Sequence, residues 1–278
     1  MGADRMRLRA DLKDRVAIIT GGSGIIGSSS ANLLAASGVR VALCDIREDV
    51  GMERVEHIRK NGGDARYYHL DQSDKQSIHS AIDQIHADYG RIDILMNNAG
   101  VNISPQFRAP ITRFHDDKYH WNMDVNLHGL VECSRAAIPY MLSAGGGNII
   151  NTTSICGVTG LRLQCAFVGS KFAVSAITRS MALEYGKDNI RVNAIAPGST
   201  GPSISYDPEK DGDRLFYPGT DMPYTMRDLV DNFAIERPAG SDEMAGLILC
   251  LASDDASYTT GQVICVDGGW TAGFSGDY

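Results

Sequence analysis

The sequence predicts an α/β fold, a doubly wound parallel sheet of seven strands flanked by helices. Three observations support this: short apolar runs alternate with helix-length segments, several runs are apolar on both faces, and glycines stand where helices should end. Strands that are apolar on both faces are typical of a parallel sheet covered by helices on each side. The βαβα alternation also implies right-handed crossovers between the strands.

The predicted strands are short runs rich in aliphatic and β-branched residues. They cover residues 16–20, 39–44, 66–70, 92–96, 148–151, 190–196 and 263–266. The predicted helices cover residues 25–37, 50–61, 74–89, 116–143 and 163–186. Asp74 can cap the third helix, and Gly38, Gly62, Gly63 and Gly90 are placed to end helices. The small and apolar residues of the last two helices favour burial in the core or in a helix-bundle subunit interface.

Composition limits the classes of partner. The 278 residues are 43% hydrophobic and 22% charged, with a formal net charge of −8. This length fits a single domain over residues 1–278, and two smaller domains fit it equally by length alone. An acidic chain without a basic run is a poor candidate for binding nucleic acid or an anionic membrane.

Location is predicted from apolar runs and cysteine usage. No apolar run approaches the roughly 20 residues that span a bilayer, and the charged first fifteen residues lack the apolar core of a signal peptide. The six cysteines are scattered, which favours small buried side chains in a reducing cytoplasm over a disulfide or a metal site. The histidines lack the spacing of metal ligands, so we expect no metal.

A proline- and glycine-rich segment interrupts the alternation at residues 198–231. Long irregular segments in compact domains are often lids or binding loops. We therefore expect residues 198–231 to cover the substrate; a surface insertion without function is the alternative.

A glycine-rich turn follows the first strand, where the sequence reads VAIITGGSGIIG. Gly21 would make the tight turn, Gly24 would let the backbone approach a diphosphate, and Gly27 would allow close contact between helix and strand. A diphosphate would then lie at the N-terminus of the helix, where free N–H groups and the helix dipole favour negative charge. The strand–turn–helix context makes the pattern specific for a dinucleotide.

Two carboxylates follow the next strands. Asp45 ends the second strand and can accept hydrogen bonds from both ribose hydroxyls, whereas it would repel a 2′-phosphate. This favours NAD over NADP, although Arg47 could neutralise that repulsion. Asp71 is placed to meet the adenine amino group; a polar residue near a helix N-terminus is the alternative.

These and later motifs resemble the short-chain dehydrogenase/reductase family. The motifs are TGGSGIIG at 20–27, Asp71, NNAG at 97–100, Asn126 within DVNLHG, NTTS ending at Ser154, SK at 170–171, RVNAIAPG at 191–198 and TGQVICVDGG at 260–269. The resemblance runs from about residue 12 to residue 270. It implies one Rossmann domain, a nicotinamide cofactor, hydride transfer between a secondary alcohol or ketone and NAD, and a homotetramer or dimer built on the two long helices.

The resemblance also implies roles for single residues. Ser154 would polarise the substrate oxygen, Lys171 would hold the nicotinamide ribose, and Asn126 would anchor a water chain behind Lys171. Pro197, Gly198 and Thr200 would lie beside the nicotinamide. The remaining cofactor contacts would be Gly21, Ser23, Gly24, Ile26, Asp45, Ile46, Asp71, Gln72, Asn98, Ala99 and Gly100.

Two positions depart from the family pattern. Ile25 stands where the family has its second glycine, so we expect the turn to survive with a slightly changed backbone around Ser23. Phe167 stands where the family has its acid–base tyrosine, four residues before Lys171 and thirteen after Ser154. Phenylalanine can neither give nor accept a proton, so turnover should fall by at least the roughly 10²–10⁴-fold that such groups contribute.

Three interpretations of Phe167 stay open. The chain is an active dehydrogenase altered from tyrosine to trap a bound substrate, or a natural NAD- and ligand-binding protein without ordinary turnover. The third is a natural enzyme with another proton relay through Ser154, water or a substrate group. Cys165 lies on a different helical face from Phe167 and is a poor substitute.

The substrate walls are expected from residues 101–107, 155–163 and 198–231. Their polar side chains suit a polyhydroxylated or otherwise polar alcohol better than a sterol, and include Asn102, Gln106, Arg162, Gln164, Tyr206 and Tyr217.

Overall fold

The computed structural model describes residues 12–201 and 233–273. Its main strands are β1 Val16–Thr20, β2 Arg40–Asp45, β3 Asp64–His69, β4 Ile94–Asn97, β5 Gly147–Thr152, β6 Ile190–Pro197 and β9 Val263–Val266. Two short strands, β7 Thr200–Gly201 and β8 Ala239–Gly240, pair separately. The helices are α1 Ile25–Ala36, α2 Glu48–Lys60, α3 Lys75–Tyr89, α4 Asp116–Met123, α5 Gly129–Ser143, α6 Cys165–Tyr185 and α7 Ser241–Ala252.

The main sheet confirms the predicted doubly wound fold. Its seven strands are all parallel and lie in the order β3-β2-β1-β4-β5-β6-β9. This order reverses between β1 and β4, which is the switch point of a Rossmann fold. A crevice forms there outside the carboxyl ends of the strands, and ligands of such sheets bind in it.

The core has two layers because successive strand residues point to opposite faces. Ala17 and Ile19 of β1 pack with α1, α2 and α7 on one face, and Val16 and Ile18 pack with α3, α5 and α6 on the other. All five residues of β1 are fully buried. Within the described ranges, no helix combines the length and the apolar character needed to cross a membrane.

The segment 116–143 is helical throughout, as predicted, but it is not a regular α-helix. Residues Asp124–His128 form a π-helical turn between α4 and α5. Such turns cluster at functional sites because the extra residue redirects a side chain. Here the turn carries Asn126, which hydrogen-bonds the segment after β4.

Two predictions are corrected by the structure. No helix was predicted after residue 231, whereas α7 lies there. Glu243 in its first turn accepts a hydrogen bond from Gly240 N at 2.8 Å. The six cysteines were predicted to be buried. All six are free, but Cys265 is exposed because it lies on the edge strand β9, and Cys165 and Cys250 are only half-buried.

Most of the predicted substrate-covering segment lies outside the described residues. This part comprises residues 202–231, with Tyr206 and Tyr217.

Candidate active site

The glycine turn joins β1 to α1 at the switch point of the sheet. Gly21 has a φ of +64°, and a Cβ there would lie 2.7 Å from the Cα of Ala99. A Cβ on Gly27 would lie 2.9 Å from the Cα of Gly22 and closer still to the carbonyl oxygen of Gly21. Both positions therefore require glycine. The turn forms with Ile25 in place, because that side chain is 45% exposed and Gly24 N donates to Gly21 O at 3.1 Å.

The N-terminus of α1 is suited to an anion. Gly24 is its N-cap residue, and within the described residues no side chain caps this end. Its first turn contains no Asp or Glu. Free backbone N–H groups and the positive end of the helix dipole therefore face the crevice, where they would stabilise a diphosphate.

Asp45 connects the end of β2 to this turn. Its carboxylate is buried and accepts a hydrogen bond from Ser23 N at 3.0 Å through Oδ2. Through Oδ1 it accepts from Arg47 N at 3.0 Å and from Arg47 Nε at 3.4 Å. The two backbone donors fix the carboxylate beside the glycine turn. The Arg47 guanidinium lies beside it and is half exposed.

The end of β4 holds the glycine turn from the other side. Asn98 Nδ2 donates to Thr20 O and to Gly21 O, each at 3.1 Å. The backbone N–H groups of Asn98 and Ala99 both donate to Thr20 Oγ1 at 3.0 Å. These residues therefore fix the shape of the turn.

Asp71 and Gln72, which the sequence predicts to lie at the adenine side, follow β3. Asp71 Oδ1 accepts from Ser73 N at 2.8 Å and from Ser73 Oγ at 2.7 Å, which folds the start of the connection to α3. Gln72 is buried, and its Nε2 has no hydrogen-bond partner within residues 12–201 and 233–273. Of the other predicted cofactor contacts, Ile26 is half-buried and Ile46 is 60% exposed.

Asn126 is fixed by its π-helical turn against the chain after Gly100. Its Oδ1 accepts from Val101 N at 2.7 Å, and its Nδ2 donates to Val101 O at 2.9 Å. Two further buried residues complete this network: Asn122, which the sequence reasoning missed, and Ser170, which it named within the SK motif without assigning it a role. Ser170 Oγ lies 3.2 Å from Asn122 Oδ1, and Asn122 Nδ2 donates to Val101 O at 2.9 Å. The i, i+4 spacing of the two asparagines was the available signal.

Lys171 lies on α6 with its ammonium in the protein interior. Only 4% of the residue is exposed, and its Nζ donates to Thr152 O at 2.9 Å. Burial lowers the pKa of Lys171 to about 8, because a low-dielectric environment disfavours the charged form. A Cβ on Gly100 would lie 3.3 Å from Lys171 Nζ and 3.2 Å from Asn126 Oδ1. The lysine and the asparagine therefore flank one small space, which a side chain on Gly100 would fill.

Ser154 and Phe167 complete the predicted catalytic set. Ser154 is half-buried and its Oγ accepts a hydrogen bond from Cys156 N at 3.1 Å, which leaves the hydroxyl proton to be donated elsewhere. The half-buried ring of Phe167 has its centroid 5.8 Å from Lys171 Nζ. The backbone O of Phe167 accepts from Ser170 Oγ at 2.8 Å. Burial also raises the pKa of the Cys156 thiol, opposed by the Ser154 hydroxyl and the Lys171 charge.

The last group lies at the carboxyl end of β6. Pro197 ends the strand, and Gly198 N donates to Val266 O at 3.0 Å. A Cβ on Gly198 would lie 2.9 Å from the Cα of Asp267, so glycine is required there. Thr200 Oγ1 donates to Gly198 O at 3.3 Å.

The candidate substrate walls separate by exposure. Asn102, Gln106 and Arg162 are exposed, whereas Gln164 is buried beside the first turn of α6. The described parts of the chain contain no group of three or more His, Cys, Asp or Glu that could hold a metal ion.

The chain is similar to known oxidoreductases in sequence and in structure. Residues 22–271 match a family model described as enoyl-(acyl carrier protein) reductase. The uncharacterized oxidoreductase YxbG of Bacillus subtilis is 37% identical over 262 residues, covering 93% of this chain and 91% of that protein. The 2,5-dichloro-2,5-cyclohexadiene-1,4-diol dehydrogenase of Sphingobium indicum is 34% identical, covering 95% and 99%. The structure of NAD⁺-bound xylitol dehydrogenase superimposes with a TM-score of 0.82 at 28% identity, covering 92% and 99%.

Proposed function

The chain belongs to the short-chain dehydrogenase/reductase family of oxidoreductases, and we propose that it binds NAD and transfers hydride between NAD and a secondary alcohol or ketone. Its relatives include enzymes that act on alcohols. The observation that supports this proposal most directly is the hydrogen bond from Ser23 N to Asp45 Oδ2. It joins the glycine turn proposed to hold the diphosphate to the carboxylate proposed to hold the ribose. A buried carboxylate there repels a 2′-phosphate and accepts from free ribose hydroxyls, which supports NAD.

The residues present fit this cofactor. The glycine turn leaves no room for a Cβ at Gly21 or Gly27, so the backbone stays close to the helix N-terminus. Gln72 is buried directly after Asp71, with its Oε1 accepting from Cys133 Sγ at 3.6 Å, and we assign it to the adenine side with Asp71. Further contacts would come from Gly24, Ile26, Ile46, Asp71, Asn98, Ala99, Gly100, Pro197, Gly198 and Thr200. When bound, the nicotinamide supplies the hydride acceptor or donor.

The other residues orient the substrate and manage its proton. Ser154 keeps its hydroxyl proton free to donate to the substrate oxygen, because its Oγ already accepts from Cys156 N. Lys171 brings positive charge to the ribose side of the site, and Asn126 faces the same small space from the opposite direction. A water held in that space would connect the two groups.

Phe167 limits turnover in this proposal. Oxidation of an alcohol releases a hydride from carbon and a proton from oxygen, and a phenylalanine ring cannot accept the proton. The missing hydroxyl should slow the reaction about 10²- to 10⁴-fold, whereas shape and most binding contacts remain. A second candidate follows from the same ring: a natural protein that binds NAD and a ligand without ordinary dehydrogenase turnover.

The substrate proposed is a secondary alcohol that is polyhydroxylated. The relative from Sphingobium indicum is named for a diol and the structural neighbour for xylitol, and both names support this class. We also propose a homodimer or homotetramer, as the family resemblance implies, and a location in the cytoplasm, as the scattered cysteines favour.

Calorimetric titration of the unaltered chain with NADH and NADPH tests the cofactor. We expect NADH to bind at least about 10-fold more tightly, since a 2′-phosphate would meet the Asp45 carboxylate. Tighter binding of NADPH would contradict this role for Asp45. Failure to bind either cofactor would overturn the proposed function as a whole.

A further inference from the structure

The short strands β7 and β8 form a separate pair that follows the carboxyl end of β6. They run parallel, with Thr200 of β7 opposite Ala239 of β8. Ala239 N also donates a hydrogen bond to Ser199 O at 3.0 Å. The pair therefore carries Thr200, one of the residues proposed to contact the nicotinamide.

A strand pair of this size is too small to hold its own position. Each strand has two residues, and even an isolated two-stranded hairpin is at best marginally stable in water. The Thr200 hydroxyl adds a long hydrogen bond to Gly198 O, at 3.3 Å. The position of Thr200 therefore depends on how β8 is attached to the rest of the fold.

Glu243 attaches β8 to α7. Its Oε2 accepts a hydrogen bond from Gly240 N at 2.8 Å, and Gly240 is both the second residue of β8 and the N-cap of α7. The guanidinium of Arg237, just before β8, donates to Oε2 at 2.8 Å and to Oε1 at 2.9 Å. Arg237 also donates to Pro238 O at 3.0 Å. One carboxylate therefore binds both β8 and the chain that leads into it.

The helix that carries Glu243 is anchored in the core. Met244 and Leu249 of α7 are buried in the same cluster as Ile19 of β1. Arg237 holds the pKa of the half-buried Glu243 carboxyl below its ordinary value, so the pair is charged at neutral pH. A bidentate arginine–carboxylate pair has a specific geometry. The core therefore sets the position of β8 through Glu243.

We propose that Glu243 is a positioning residue for the nicotinamide end of the cofactor site, because it holds β8 against β7 and thereby fixes Thr200. The inference rests on the proposed NAD binding, which assigns Thr200 to the nicotinamide. Glu243 acts through the strand pair and does not itself contact the cofactor. The glycine turn and Asp45 follow β1 and β2, so the loss of Glu243 should leave the other end of the site unchanged.

Calorimetry with NADH and ADP-ribose tests this role, because ADP-ribose keeps the adenine, the diphosphate and both riboses but lacks the nicotinamide. The unaltered chain should bind NADH more tightly than ADP-ribose. Glu243→Ala should bind NADH about 10-fold more weakly, with ADP-ribose affinity changed by less than about 3-fold. Glu243→Gln keeps an acceptor oxygen for Gly240 N and should lose less, and Arg237→Met should show the same selective loss.

The matched control is Asp254→Asn, which breaks an ion pair just beyond the other end of α7. Arg15 Nη2 lies 2.8 Å from Asp254 Oδ1 there, and its loss should change neither affinity. Thermal unfolding establishes which variants are folded. If Glu243→Ala does not fold, Glu243→Gln and Arg237→Met decide the question by the same comparison of the two ligands.

The outcomes separate the two proposals. Equal losses of NADH and ADP-ribose affinity in the Glu243 variants would overturn the positioning role and indicate general damage to the fold. A loss of NADH affinity no larger than in Asp254→Asn would also overturn it, as would an unaltered chain that does not prefer NADH. Binding of NADH in those cases leaves the proposed function standing, whereas failure to bind either ligand would overturn both.

Discussion

Replacing Phe167 with tyrosine should raise the rate of NAD-linked oxidation of a bound secondary alcohol by about 10²- to 10⁴-fold. The change adds one hydroxyl to a half-buried ring and leaves the buried network behind it untouched, because Ser170 Oγ bonds the backbone O of Phe167 and not its side chain. The hydroxyl supplies the proton acceptor that phenylalanine lacks.

The strength of this acceptor follows from the position of Lys171. Its Nζ lies 5.8 Å from the centroid of the Phe167 ring. At about that separation, a positive charge stabilises a phenolate by roughly 0.7 kcal/mol in water and roughly 3 kcal/mol at an effective dielectric constant of about 20. The pKa of the new tyrosine should therefore fall below its ordinary value of about 10. Oxidation rates should rise with pH as the tyrosine ionises, and the unaltered chain should lack that rise.

The assay follows NADH absorbance with a panel of secondary alcohols and diols from pH 6 to 10. Phe172→Tyr is the matched control, because it adds the same hydroxyl to an exposed ring on the same helix. Calorimetry checks whether NAD binds the two variants with equal affinity. A gain in Phe167→Tyr no larger than that in Phe172→Tyr, with NAD bound, would refute the role assigned to the missing hydroxyl and favour a binding protein.

Three further changes probe the cofactor turn and the buried cation. Asp45→Asn keeps an acceptor but loses the charge, so the preference for NADH over NADPH should narrow about 10-fold in calorimetry. Gly27→Ala should lower the free energy of unfolding, measured in urea, by about 1 to 3 kcal/mol, since the new Cβ would lie 2.9 Å from Gly22 Cα. Gly24→Ala should lower the free energy of unfolding less, because the nearest atom to its Cβ would be 3.2 Å away. Burial lowers the pKa of Lys171 to about 8 in the fold, so the unfolded chain binds the extra proton between about pH 8 and 10. The free energy of unfolding should therefore rise over that interval by up to about 3 kcal/mol relative to Lys171→Met; parallel pH profiles would contradict this.

The fold was readable from the sequence where one physical signal dominated. The run VAIIT is apolar at its first four positions, on both faces of the strand, as expected for a sheet covered on both faces, and β1 is buried throughout. The helical segment 116–143 was predicted with its observed bounds, whereas the π-helical turn Asp124–His128 within it was not, because an extra residue in a helical turn leaves the helical character of the sequence unchanged. Helix α7 was missed although Asp242 and Glu243 precede its apolar run, a usual mark of a helix start.

The properties of the site were harder to predict from the sequence because they depend on how deeply its side chains are buried. Glycine spacing and the carboxylate after β2 predicted a turn whose shape the structure shows, since those positions depend on local backbone geometry. Burial lowers the pKa of Lys171, and this follows from packing that no local pattern encodes. The same holds for the unpartnered amide of Gln164, which as a glutamine in a loop predicts exposure.

Binding and turnover are separable in this arrangement because different elements carry them. The groups proposed to hold the dinucleotide follow β1, β2 and β4 and are fixed by backbone hydrogen bonds, such as Ser23 N to Asp45 Oδ2. The groups proposed to move the proton lie on α6 and on the π-helical turn, where Asn126 is fixed to Val101. Neither set is held in place by a hydroxyl at position 167, although proton transfer itself requires one. The chain should therefore form a complete ternary complex and stop at proton transfer, so a bound alcohol should persist beside NAD long enough for its affinity to be measured directly.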